Sequence, residues 1–243
     1  MVVVQLASDH PNTCRATSRP WYDTPGYGQS TMSAEQSTSL DIQGRVFTEM
    51  IEHWQLTKPT VVAHDFGGAT TLRAHLLHGA EFERYILMNV VAMRPWGSDF
   101  FDHVGRHVEA FVGVPDHIHA AIVSAYIAGA LAHDIDAADF DALTRPWLSS
   151  AGRSSFYRQF AQADEKYTAE VEGGYKDIRC PTQVLWGEDD PWIPIDRGKA
   201  LNALIGQRAL RPMPGVGHLP QIEAPELVTK EVLGFIDQDH AAL

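Results

Sequence analysis

One run constrains this chain more than any other: Thr60-Val61-Val62-Ala63-His64-Asp65-Phe66-Gly67-Gly68-Ala69. A β-branched segment set up by Pro59 predicts a strand over residues 60–64. A helix-compatible run follows over residues 69–77. Only His-Asp-Phe and two glycines separate the two, so strand must become helix almost at once, around one exposed side chain, Asp65. Ala63 and Gly67 are small where strand and helix nearly touch, and Gly68 lets the helix start close to the strand. The free N–H groups of the helix start then favour an ionised Asp65. In a plain strand–helix joint Asp65 would be no more than an N-cap. What decides between the two readings is whether the rest of the chain supplies chemical partners.

The remaining pattern alternates. A helix is predicted over residues 40–55, with Val46, Phe47, Met50, Ile51 and Trp54 along one face. Strands are predicted over residues 85–91, 181–187 and 209–213, and helices over 196–205 and 225–237, the last with Pro225 in its first turn. Strands alternating with helices imply a mainly parallel sheet covered on both faces, with reactive groups at the carboxyl ends of strands. Residues 94–178 show helical stretches and no clear strand. They predict a helical cap inserted into a core made of residues 1–93 and 179–243. The first 21 residues have no period. Val2-Val3-Val4 is at most a strand stub, and residues 10–20 are rich in turn formers and read as irregular.

Composition removes several classes of function. With 44% hydrophobic residues, a chain of 243 can bury a sizeable core. A net charge of -12 argues against nucleic acid and anionic membrane surfaces as partners. Cys14 and Cys180 have neither metal nor redox spacing. No apolar run reaches membrane-span length and no signal peptide is evident, so a soluble, cytoplasmic protein is expected. The pairs His103/His107 and His117/His119 have metal-like spacing but no carboxylate partner. They read as solvated helix faces, and no metal or cofactor is expected.

Two further groups follow predicted strands. Leu185-Trp186-Gly187-Glu188-Asp189-Asp190-Pro191 ends a strand in an acidic turn, and Pro214-Gly215-Val216-Gly217-His218-Leu219-Pro220 sets a histidine in a Gly/Pro loop. The order is nucleophile, acid, histidine. With these motifs the chain, from about Tyr22 onward, resembles the α/β-hydrolase fold superfamily in its aspartate-nucleophile branch, the epoxide hydrolases and haloalkane dehalogenases. The resemblance places the nucleophile on Asp65, the acid on Asp190 within Gly187 to Pro194, and the base on His218. It places half of an oxyanion hole on the N–H of Phe66. Asp23-Thr24-Pro25-Gly26-Tyr27-Gly28-Gln29-Ser30 resembles the loop before the first core helix of these enzymes, and residues 94–178 match their helical cap.

The residue types define the chemistry. A carboxylate gains little by attacking an ester carbonyl, because the anhydride formed is high in energy. It can displace a leaving group from sp³ carbon and form an alkyl-enzyme ester. A histidine then activates water to hydrolyse that ester. A serine-type esterase is disfavoured by Asp65 itself. The expected partners are a small apolar substrate and water. For the leaving group, the resemblance points to Tyr157 within Phe156-Tyr157-Arg158 as a donor to an epoxide oxygen, with Trp147 as a second contact. Phe66 stands where halide-binding relatives carry an indole, so a dehalogenase is the alternative reading. A further alternative is an inactive, shortened remnant or binding protein. No His-Gly pair precedes the elbow, and the front of the chain reads as lacking the usual N-terminal strands.

Overall fold

A computed structural model of the chain describes residues 5–7, 22–33 and 35–237. Its strands are β1 (Gln5–Ala7), β2 (Thr60–Asp65), β3 (Tyr85–Val90), β4 (Thr182–Gly187) and β5 (Arg211–Met213). They form one sheet in the order β1-β2-β3-β4-β5. All pairs are parallel except β1 with β2. On the core side lie α1 (Leu40–His53), α2 (Phe66–Leu77), α9 (Ile195–Ile205), α10 (Pro220–Glu223) and α11 (Pro225–Asp237). Between β3 and β4 the chain is helical: α3 (Asp99–Arg106), α4 (Val108–Val112), α5 (Asp116–Ala128), α6 (Ala137–Thr144), α7 (Ser150–Gln162) and α8 (Lys166–Glu172), with short 3-10 turns at Arg145–Leu148 and Tyr175–Asp177.

The two faces of the sheet follow from alternation along each strand. Tyr85 and Leu87 point into one cluster with Phe47 of α1, Leu72 of α2 and Leu201 of α9. Ile86 and Met88 point into the other, with Leu185, Met213 and Phe235 of α11. The helical segment has a cluster of its own around Val104, Val123, Ile127 and Phe156. Val171, Tyr175 and Ile178, near its end, belong to the first sheet cluster instead. The helical layer is therefore anchored on the core at that end.

Helix α2 is buried along most of its length, from Gly67 to Ala74. Its one deep charge, Arg73, is matched by Asp41 of α1 at 3.0 Å and Glu170 of α8 at 2.6 Å. A buried guanidinium without such partners would destabilise the fold strongly. The pair therefore ties α1, α2 and α8 together.

The front of the chain departs from the irregular reading. Gln5, Leu6 and Ala7 pair antiparallel with Val62, Val61 and Thr60. A three-residue edge strand needs no side-chain period, because its ladder bonds are backbone bonds. It satisfies groups on β2 that would otherwise form a bare edge. The stub expected at Val2-Val3-Val4 and the irregular residues 10–20 lie outside the described residues.

The joint between β2 and α2 is as tight as the sequence requires. A Cβ added at Gly68 would stand 2.2 Å from Cβ of Val90. Gly68→Ala should lower the unfolding free energy by about 1–3 kcal/mol, the usual cost of overpacking, measured by urea denaturation.

Candidate active site

The backbone turns at Asp65 with φ 52 and ψ -130, a conformation that non-glycine residues rarely adopt. Its side chain makes no capping hydrogen bond to α2, so the plain N-cap reading does not describe it. The carboxylate is free to face outward at the carboxyl end of the sheet.

Asp190 follows β4 and is buried. Its Oδ1 accepts the N–H groups of Trp192 and Ile193, each at 2.8 Å. Its Oδ2 accepts His218 Nδ1–H at 2.9 Å and the Asn89 amide at 2.7 Å. The Nδ1–H bond orients the ring and turns Nε2 toward Asp65, 3.4 Å from Oδ1. This is an ion-pair contact rather than an aligned hydrogen bond, and Nε2 has no hydrogen-bond partner among the described residues. The structure thus brings Asp65, Asp190 and His218 together.

Burial alone would lower the His218 pKa. The hydrogen bond to Asp190 and the contact with Asp65 outweigh it and raise the group to about 9. Burial would raise the Asp65 carboxyl, but the contacts with His218 hold it well below the usual carboxylate range. The resting pair is therefore an imidazolium and a carboxylate. Beneath them, His64 donates from Nε2 to the His218 carbonyl at 2.6 Å. Burial holds His64 at about 4, so it stays neutral and can serve as a fixed brace for the loop.

Asn89 was not singled out in the sequence. It is the last residue but one of β3, with φ 45 in the left-handed region, and is buried. Its amide holds Asp190, and its Oδ1 accepts the Gly187 N–H at 3.0 Å. The one available signal was a polar residue at the carboxyl end of an otherwise apolar strand.

A cavity of about 350 Å³ lies over Asp65 and His218, between the sheet and the helical layer. Phe66, first residue of α2, lines it, and a first-turn N–H has no partner within its own helix. Trp147 lines it as well. Tyr157 does not. It is fully buried in the helical layer's own cluster, and its hydroxyl meets His119 Nδ1 at 2.8 Å. The reading of Tyr157 as a leaving-group donor is corrected on this ground: its position on α7 turns it into the cap interior. His119 is likewise buried: its Nε2–H donates to the Trp147 carbonyl at 2.9 Å while Nδ1 meets the Tyr157 hydroxyl, so it is not on a solvated helix face. Trp96 gives its indole N–H to Thr168 at 3.0 Å.

Two other tyrosines take the place next to the carboxylate. Tyr27, from the loop before α1, and Tyr126, from α5, both line the cavity. Their hydroxyls have no hydrogen-bond partner among the described residues. Burial first, then the charge of Asp65, holds both phenols far above their usual range, so both stay protonated. The turn-rich loop that carries Tyr27 is built as its composition predicts. Gln29 N–H bonds the Asp23 carboxylate at 2.7 Å, and Gly28 at φ +52 sits where a Cβ would strike that carboxylate. Among the described residues no group of three or more His, Cys, Asp or Glu side chains is placed to hold a metal ion. No helix among them is long and apolar enough to cross a membrane.

A sheet of this order, with a carboxylate at a strand–helix elbow and an acid–histidine pair at two later strand ends, defines a hydrolase of the α/β class. The chain belongs to the alpha/beta hydrolase family, whose pattern it matches over residues 4–231. It is similar to an alpha/beta hydrolase fold protein from Burkholderia ambifaria of known crystal structure. The two are 42% identical with a TM-score of 0.85, over 88% of this chain and 78% of that one. It is also similar to the uncharacterized hydrolase YugF of Bacillus subtilis (strain 168), with 24% identity over 88% of this chain and 78% of that protein. Haloalkane dehalogenase DbeA from Bradyrhizobium elkani USDA94 shares the fold. It has a TM-score of 0.73 at 17% identity, over 91% of this chain and 81% of that one.

The ion pair makes stability depend on pH. The folded-state pKa of His218, about 9, lies above the usual value near ~6.5. Its contribution is therefore fully present below the lower figure and is lost as pH rises through the higher one. The unfolding free energy of the wild type should fall across that window, and His218→Gln should remove this part of the fall, measured by urea denaturation at a series of pH values.

Proposed function

We propose that the chain hydrolyses small apolar epoxides through an alkyl ester on Asp65. The observation that carries this reading is a carboxylate at the elbow, 3.4 Å from His218, in one apolar-walled cavity that Tyr27 and Tyr126 also line. One Oδ of Asp65 attacks an epoxide carbon and the ring C–O bond breaks. The alkoxide released is a stronger base than a phenolate, so it takes a proton from Tyr126 or Tyr27. Esterification removes the charge of Asp65, one of the groups that raise His218. His218 then gives up its proton, which restores the tyrosine, and becomes a neutral base. Water, deprotonated at Nε2, attacks the ester carbonyl while the Phe66 N–H steadies the oxyanion. Collapse releases the diol, and the carboxylate and imidazolium are both regenerated.

Asp190 fits the role of orienter and Asp65 that of nucleophile for a simple reason. Four hydrogen bonds occupy the oxygens of Asp190, whereas among the described residues the side-chain oxygens of Asp65 meet the histidine alone. A saturated carboxylate is a poor nucleophile. A second reading, dehalogenation, is favoured by one observation: the indoles of Trp147 and Trp192 line the cavity, and neither N–H is hydrogen-bonded among the described residues. Both chemistries use the same Asp65 ester and differ only in what receives the leaving group.

Intact mass spectrometry on mixing with epoxides and haloalkanes tests the proposal. His218→Gln should accumulate a covalent adduct that maps to Asp65, and Asp65→Ala should form none. An adduct on another residue would overturn the assignment.

The tyrosine assignment gives a second expectation. Tyr126→Phe should slow ester formation from epoxides by about 10- to 100-fold, the lower part of the general-acid range. Tyr157→Phe should leave that rate near wild type and cost about 1 kcal/mol of stability through its lost hydrogen bond. Stopped-flow single-turnover rates on these variants and on Tyr27→Phe decide the matter. Rates equal to wild type in both Tyr126→Phe and Tyr27→Phe would sink it.

A further inference from the structure

Glu223 ends the short helix α10, five residues beyond His218 (223 − 218). Its Oε1 accepts the N–H of Leu219 at 3.0 Å, and Oε2 accepts the N–H of Gly217 at 3.1 Å. These are the residues on either side of His218. Oε2 also accepts the N–H of Ala132 at 2.8 Å, from the segment that follows α5 in the helical layer. The same segment accepts the His218 N–H on the Ala130 carbonyl at 2.8 Å. Space is as tight as the bonding: a Cβ added at Gly217 would stand 2.5 Å from Ala132 N and 2.8 Å from Glu223 Oε1.

We infer that Glu223 is a positioning residue that binds the His218 loop to the helical layer, so that His218 and Tyr126 move as one unit over Asp65. This rests on the proposed function for the roles of His218 and Tyr126, though the geometry stands without it. Tyr126 lies in the last turn of α5, four residues before Ala130. Its ring is 4.5 Å from that of Trp192, which is 4.8 Å from that of His218. A stack of rings and a carboxylate bracket thus connect the same two elements. The bracket matters because the Nε2 contact to Asp65 is long, so a small shift of the loop breaks it.

A merely structural glutamate would change stability without changing His218. The titratable groups that face His218 are Asp65, Asp190 and His64. Glu223 acts on the backbone around it rather than on the ring. Once the bracket is lost, the imidazole should drift from its two carboxylates, and its pKa should fall toward the unperturbed value.

The test is a proton NMR titration of the His218 imidazole in the full chain, assigned by the resonance missing from His218→Gln. Glu223→Ala should lower that pKa by about one unit or more relative to wild type. Glu223→Gln keeps one acceptor oxygen and no charge, so it should fall between the two. If Glu223→Ala does not fold, Glu223→Asp, which keeps the charge but is one methylene too short for the bracket, should show the drop instead, and an unchanged pKa there overturns the inference. An unchanged pKa in a folded variant overturns the inference. So does a drop in Glu223→Gln as large as in Glu223→Ala, since charge and not the bracket would then be the cause. A second readout is kinetic. In Glu223→Gln, hydrolysis of the Asp65 ester should slow by about 10-fold or more, while ester formation stays near wild type. Absence of any adduct in every variant would count against the Asp65 chemistry, and the titration would still decide the role of Glu223.

Discussion

Everything around the cavity depends on one backbone conformation, the strained turn at Asp65. Holding a non-glycine residue there costs of order 1–3 kcal/mol, and surrounding structure must offset it. Here α2 does so. It is buried from Gly67 to Ala74 and packs Gly68 directly against Val90 of the neighbouring strand. The Thr71 hydroxyl donates to the Gly67 carbonyl at 2.7 Å and meets the Tyr85 hydroxyl at 2.5 Å, which braces the first turn against β3. A less buried helix would let the turn relax and the carboxylate swing toward its own helix N-terminus as a cap.

The second constraint is electrostatic and concerns two carboxylates that the same histidine joins. Asp190 is buried and Asp65 is largely withdrawn into the cavity, and a charge taken out of water without a partner is expensive. One is satisfied fully by hydrogen bonds from its own turn and from Asn89. Among the described residues, the other is satisfied by the ion pair with His218 alone. In the proposed chemistry, difference of environment, not of residue type, separates the orienting carboxylate from the reactive one. The His218 loop is held in turn by the His64 side chain from below and by Glu223 from the side. The proposed chemistry thus rests on a histidine whose ring and backbone are both fixed.

Much of the architecture was legible because its signals are local. Strands expected at residues 60–64, 85–91 and 181–187 appear at Thr60–Asp65, Tyr85–Val90 and Thr182–Gly187, and the final helix is Pro225–Asp237 as read. Apolar runs bounded by turn formers specify these elements with little help from elsewhere. The elbow was legible for the same reason, since small residues flanking Asp65 leave the backbone one way to turn. Gln5–Ala7 was not, because a three-residue edge strand is defined by the partner it meets and carries no period of its own.

From the sequence alone came the sheet-and-helix alternation, the position of Asp65 at a strand end, and the order in which Asp190 and His218 follow it. These depend on neighbours a few residues away. Tertiary structure alone decided which aromatic groups face the carboxylate. Tyr157 and Tyr126 both lie on helices of the same layer, yet one turns into that layer's interior and the other onto the cavity. The choice depends on how each helix is rotated against its neighbours, which no local pattern encodes. The same holds for Asn89 and Glu223, whose partners lie on distant strands and helices and exist only once the sheet and the helical layer have closed on each other.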